Sequence, residues 1–281
     1  MKNSKLNILV SIVIFLISYS LAYFTKLPVV KSAVIVSFII QWILFLPAYF
    51  FQTEKFYDIV GSFTFLTIIL YTFFSSNIST GFNIGNLIIT FLIIIWALRL
   101  GSFLFLRICK EGKDKRFKFI KPIATRFFMT WTLQGMWVSV CSLPALTAMS
   151  SLTGVIINEM FFIGIFIFIS GLLLEIIADY QKTQFRNQPE NNGHFITSGL
   201  WSYSRHPNYV GEIVLWTGVS IMSFSSLSGM QYLTLISPIF TYLFLVYVSG
   251  VRILETIGKE RWGHLKSYQE YLKNTPILLF K

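Results

Sequence analysis

Charge is scarce in this 281-residue chain: only 12% of its residues are Asp, Glu, Lys or Arg, against roughly a quarter in soluble domains. Hydrophobic residues make up 54%, more apolar surface than a soluble core of this size can hide. Cysteine is nearly absent, and Cys109 and Cys141 lie far apart, which excludes a disulfide framework. The three histidines, His194, His206 and His264, are scattered. No His or Cys pair has metal-ligand spacing, so no metal site is expected. Strand alternation, internal repeats and low-complexity tracts are also missing, and no soluble domain is appended.

What the chain has is a series of apolar runs of membrane-crossing length, about 20 residues each. They cover Leu6 to Phe24, Val29 to Phe51, Ile59 to Phe74, Ile84 to Ile108, Phe127 to Met149, Val155 to Ala178, Tyr209 to Leu227 and Met230 to Val251. The expected fold is an all-α, polytopic transmembrane bundle of about seven to eight spans, forming a single domain over residues 1–281. The first run follows Lys2 and Lys5 without a clear cleavage site and is read as a retained anchor.

A net charge of +11 would point a soluble protein toward nucleic acid, but its placement follows the membrane instead. Basic residues crowd Arg107 to Arg126, Lys182 to Arg205 and the tail from Arg252, whereas Ser75 to Gly85, Ser150 to Thr153 and Ser228 to Gly229 contain no Lys or Arg. The positive-inside rule assigns the basic segments to the cytoplasmic face. Eight spans put both termini inside and leave Lys26 and Lys31 outside, against the rule; seven spans, with the N-terminus outside, are the alternative. Phe117 and Phe119 interleave with the cations of the Lys110 to Arg126 loop, a pattern that fits anionic lipid headgroups or the lid of an anionic ligand.

Several residues are expensive where they stand. Arg99 interrupts an apolar run, where a charge costs about 2.5 to 3.5 kcal/mol on insertion scales; Arg107 follows eight residues later, within about 80° around the helix. Both either snorkel to the interface or serve a ligand. Glu175, Asp179, Lys182 and Arg186 are spaced four, three and four apart, one stripe on one helical face with its acids deeper. In GHFITSGLWSYSRHPNYVGEIVLWTG, Pro207 suits the first turn of a helix. Arg205 and His206 then sit at a helix N-terminus, where free N–H groups favour an anion. Asn208, Glu212 and Trp216 descend from it at intervals of four.

The segments WALRLGSFLFLR with GKDKRF, ADYQKTQFR, GLWSYSRHPNYVGEIVLWTG and the tail YQEYLKNTPILLF resemble the steroid 5-alpha-reductase-like membrane proteins, in particular their bacterial branch, over residues 84–280. That resemblance implies a helical bundle holding NADPH in a cytoplasm-facing cavity, in the bacterial cytoplasmic membrane, and reduction of a carbon–carbon double bond conjugated to a carbonyl. It implies cofactor contacts at Asp179 and Arg186, at Asn208, Glu212 and Trp216, and at Arg99 or Arg107; Arg205, His206 and Tyr209 of the RHPNYVGE block are candidate cofactor contacts beside them. The expected partners are a lipophilic, steroid- or isoprenoid-like substrate and membrane lipids, not nucleic acid.

The resemblance has departures. Arg205, His206 and Pro207 follow the version shared with sterol reductases and isoprenylcysteine-type methyltransferases. The enone-binding Gln-Glu pair of the family has no counterpart; QTEKFYDIVGS offers Glu54, Tyr57 and Asp58, of which Asp58 is taken as the candidate catalytic acid. Two alternatives stay open: an S-adenosylmethionine-dependent membrane methyltransferase, and a non-catalytic lipid-binding protein.

Overall fold

The computed structural model describes residues 2–278. Leu279 and Phe280, which end the matching tail, lie outside the described residues, as do the side chains of Lys2 and Lys115. Among the described residues the α-helices follow in the order α1 (Lys2–Phe24), α2 (Pro28–Phe50), α3 (Tyr57–Thr80), α4 (Ile84–Glu111), α5 (Ala124–Met149), α6 (Glu159–Asn187), α7 (Pro207–Phe224), α8 (Ser237–Leu243), α9 (Val251–Trp262) and α10 (Lys266–Asn274). Among the described residues, six segments are long and apolar enough to cross a membrane: those of α1 to α4, α6, and the stretch Gly229–Trp262. The protein is an integral membrane protein.

The chain divides into two compact units, residues 1–162 with 220–237, and residues 163–219 with 238–281. In the first, α5 packs against α1, α2 and α3, and α4 against α3. The whole run Val138–Met149 of α5 is buried, where a polar side chain is costly without a partner within the protein. Ser139 and Ser142 donate to the carbonyls of Gly135 and Val138, and the Ser37 and Ser139 hydroxyls meet at 2.5 Å. Trp42 donates to Thr132 at 3.1 Å. Such interhelical bonds join helices where lipid tails leave little hydrophobic drive between them. By contrast, Leu6, Leu9, Val13, Leu16 and Ile17 of α1 are exposed, an apolar face of the kind that meets lipid.

Helix ends follow local chemistry. The Asn83 side chain accepts from Asn86 N at 2.8 Å and starts α4. Gly112 ends it in the left-handed region at φ 76°, its N–H bonded to Ile108 O at 2.8 Å. Two expected runs differ in detail. The sixth begins later, at Glu159, and remains helical to Asn187, so the Glu175 to Arg186 stripe lies on one unbroken helix. The eighth is not continuous: a 3-10 stretch Gly229–Ile236, α8 and a π-helical stretch Phe244–Ser249 lead to Gly250, which breaks the axis before α9.

Candidate functional site

In the second unit, α6 and α7 approach at backbone contact. A Cβ added at Gly171 would lie 2.5 Å from Leu215 N, one at Gly211 2.6 Å from Gly171 O, and one at Gly218 2.5 Å from Phe168 N. Small residues permit this approach between spanning helices. It sets the backbone of Glu175 against Gly211, so Glu175 and Glu212 flank one crossing. Glu175 is 2% exposed, Glu212 8% and Asp179 6%, while Trp216 is fully buried. Asn208 and Lys182 are half-buried and Arg186 is exposed at the end of α6. Three acids buried among apolar helices are costly unless they serve a charge or a ligand.

Lys182 lies 4.1 Å over the Trp201 ring, a cation–π contact, and Trp201 donates its indole N–H to Ala178 O at 3.1 Å. The loop before α7 is thereby fastened beside Asp179. The C-terminal segment holds it from another direction: Tyr271 donates to Trp201 O at 2.8 Å, and Arg205 N to Pro276 O at 3.0 Å. Phe195 packs on Trp262, Tyr268 and Tyr271 at centroid distances of 5.6, 4.9 and 5.6 Å. Burial raises the Tyr271 hydroxyl above its ordinary value, so it remains a donor.

As the Pro207 signal predicts, α7 starts at Pro207, and Arg205 and His206 stand at its head. Both turn to one carboxylate that sequence reasoning missed. Glu255 of α9 pairs through Oε2 with Arg205 Nη1, and its Oε1 lies 2.9 Å from His206 Nε2. The His206 ring stacks on Tyr209 at 5.6 Å and 13°, and the Tyr209 ring presses on Gly250, where an added Cβ would come within 2.8 Å. The signal for Glu255 was faint, an acid five residues past Gly250 in a basic tail. Burial pushes the His206 pKa down, reinforced by Lys182 and Arg205, while the bond to Glu255 opposes the shift.

Asp58, Arg99 and Arg107 belong to the first unit. Asp58 is half-buried in the first turn of α3. Arg116 and Arg107 are within electrostatic reach of both Asp58 and Asp114. The guanidinium of Arg99 lies 5.4 Å over the Phe103 ring on its own helix. The basic loop is tied down rather than splayed. Buried Glu54, passed over in favour of Asp58, accepts from Asp114 N at 2.8 Å and pairs with Lys121. Burial opposes it, but hydrogen bonds and charge from Arg116 hold the Asp114 carboxyl below its ordinary range. Tyr57 donates to Thr130 O at 3.0 Å, with Phe117 and Trp131 against its ring. Among the described residues, Trp131 Nε1 and Gln134 Oε1 beside it are buried without a hydrogen-bond partner.

A family model described as "Protein of unknown function (DUF1295)" matches residues 44–275. The tomato protein named steroid 5-alpha-reductase DET2 is 32% identical over 115 residues, 41% of this chain and 39% of its own. Human 3-oxo-5-alpha-steroid 4-dehydrogenase 2 is 34% identical over 65 residues, 23% of this chain and 26% of its own. A probable O-methyltransferase, ustE of Ustilaginoidea virens, is 34% identical over 68 residues, 24% of each chain. The chain thus spans less than half the length of these curated relatives. No solved structure matches. With its family model covering most of the described bundle, the chain belongs to the DUF1295 family of steroid 5-alpha-reductase-like membrane proteins.

Proposed function

We propose that the protein is a reductase embedded in the bacterial cytoplasmic membrane, which uses NADPH to saturate a carbon–carbon double bond conjugated to a carbonyl in a lipophilic substrate. The observation that carries this reading is the polar lining of α6 and α7: Glu175, Asp179 and Glu212 buried near the Gly171 and Gly211 crossing, with Arg205 and His206 at the head of α7. The relatives named steroid 5-alpha-reductase DET2 and 3-oxo-5-alpha-steroid 4-dehydrogenase 2 point the same way. The positive-inside pattern of the basic segments supports a cytoplasmic cofactor site, on the side where the cofactor is supplied.

The residues present fit that cofactor. Arg205 Nε and His206 Nδ1 are buried with no hydrogen-bond partner among the described residues, as expected of groups that await a ligand. In this assignment Arg186 serves the phosphates, and the Arg205 and His206 pair contacts the cofactor at the head of α7. Asp179 and Glu212, as anions, accept from ribose hydroxyls or the carboxamide; Asn208, Tyr209 and Trp216 shape the same helix face. The bound dihydronicotinamide supplies the hydride, and the protein contributes orientation and electrostatics. Asp58 is assigned the polarisation of the substrate carbonyl, and the substrate enters from the bilayer.

Thermal unfolding of the detergent-purified protein tests the reading. NADPH at one hundred times its dissociation constant should add about 2.7 kcal/mol to native-state stability, with consumption of NADPH when a lipophilic enone is supplied. A shift with S-adenosylmethionine instead would favour the second reading, a membrane methyltransferase, which the similarity to the probable O-methyltransferase supports. A shift with neither would leave a non-catalytic lipid-binding protein.

A further inference from the structure

The carboxylate of Glu255 touches two residues at once, Arg205 Nη1 through one oxygen and His206 Nε2 through the other. An ionised carboxylate only accepts hydrogen bonds, so His206 meets it by donating from Nε2. In the neutral ring this fixes the tautomer, and Nδ1 becomes an acceptor. His206 is 5% exposed, and among the described residues its Nδ1 has no partner, nor has Arg205 Nε. A buried acceptor and a buried donor thus stand unsatisfied on adjacent residues, held by one carboxylate. The Tyr209 ring stacked on His206 restrains the imidazole from rotating.

A phosphate cannot satisfy an imidazole acceptor, because both are acceptors at neutral pH. A hydroxyl carries both complements, a hydrogen of the kind Nδ1 lacks and an oxygen of the kind Arg205 Nε–H lacks. With Arg205 already paired to Glu255, its charge is also largely committed. We infer that Glu255 is a positioning residue that turns Arg205 and His206 into a reader of ligand hydroxyls, and that the group they receive is a ribose hydroxyl of the cofactor rather than a phosphate. The identity of the cofactor rests on the function proposed above; the preference for a hydroxyl rests on the Glu255 contacts and the two unpartnered atoms. Depression of the His206 pKa by burial and by Lys182 and Arg205, against Glu255, keeps the ring neutral as the inference requires.

Two substitutions separate the faces of the ring. His206→Gln reaches the Nε2 position and keeps the contact with Glu255 but has nothing at Nδ1; His206→Asn carries a polar atom near Nδ1 and abandons Glu255. The dissociation constant for NADPH, measured by calorimetry on detergent-purified protein at pH 7.5, should rise tenfold or more in His206→Gln and less than about threefold in His206→Asn. Glu255→Ala should weaken binding as much as His206→Gln, and Glu255→Gln should restore it only in part, because its amide keeps one acceptor oxygen for two donors and sets an NH2 against the other. Equal losses in both histidine variants, or wild-type affinity in His206→Gln, would overturn the inference. If the wild-type protein binds S-adenosylmethionine instead, the reductase reading fails, but that ligand also carries a ribose, and the same variants then judge the hydroxyl reader by itself. Binding of neither ligand overturns both.

Discussion

Gly171 of α6 and Gly211 of α7 meet backbone against backbone: a Cβ on Gly211 would stand 2.6 Å from Gly171 O and 2.7 Å from Glu175 N. The atoms in the way are main-chain atoms, which cannot swing aside as a flexible side chain does. Gly211→Ala should therefore destabilise the second unit by about 1 to 3 kcal/mol, the usual cost of overpacking. A lower midpoint of thermal unfolding in detergent checks this; an unchanged midpoint would show that the helices separate freely.

Glu212 adjoins that crossing and is buried. Glu212→Ala should reach the membrane in normal yield but bind NADPH about ten- to a hundredfold more weakly, since hydrogen bonds to a charged group contribute about 1.5 to 3 kcal/mol. Titration calorimetry on the purified variant would read the loss, and undiminished affinity would remove Glu212 from the cofactor site.

Asp58 is assigned to the substrate, not to the cofactor. Asp58→Asn should lower kcat by about 10² to 10⁴, the range for a general acid, while the dissociation constant for NADPH stays unchanged. Loss of cofactor affinity with kcat preserved would contradict the assignment.

Acidification acts on His206. Its folded-state pKa lies below the ordinary value of 6.5, so below that pH the unfolded chain takes up a proton that the folded chain refuses. The contribution of the neutral ring is complete above about pH 6.5 and is lost as pH falls below it. The neighbours in this balance are Glu255 on α9, Lys182 on α6 and Arg205 before α7. Stability measured by thermal unfolding should fall between pH 7 and pH 5, by a smaller amount in His206→Asn than in the wild type.

Glu54 fastens the basic loop through Asp114 N and Lys121. Glu54→Ala leaves Lys121 and Asp114 N without their buried acceptor and should open the loop. Trypsin should then cleave between Lys113 and Lys121 about tenfold faster, with Glu54→Gln intermediate because its amide still accepts from Asp114 N. Equal cleavage rates would show the loop to be held by its aromatic contacts alone.

Periodicity and chemical cost made much of this legible before any coordinates. Apolar run lengths indicated the helices, and Pro207 marked the start of α7 because proline is tolerated only where its missing N–H is not needed. The stripe from Glu175 to Arg186 was readable because four-residue spacing is a property of a single helix, and α6 is unbroken through Asn187. The break at Gly250 was not readable, because a glycine in an apolar run carries no signal until a neighbour, here the Tyr209 ring, occupies the space a side chain would fill.

The amino-acid sequence by itself determined that the chain is a helical membrane protein, which residues share a helix face, and that Arg205 and His206 open a helix, since these depend on composition and on contacts within a few residues. Only the tertiary structure decided that Glu255, about fifty positions later, holds both of them, that Glu54 holds the basic loop, and that Gly171 meets Gly211. Those pairings depend on how separate helices pack, and no local periodicity encodes the distance between two side chains on different helices.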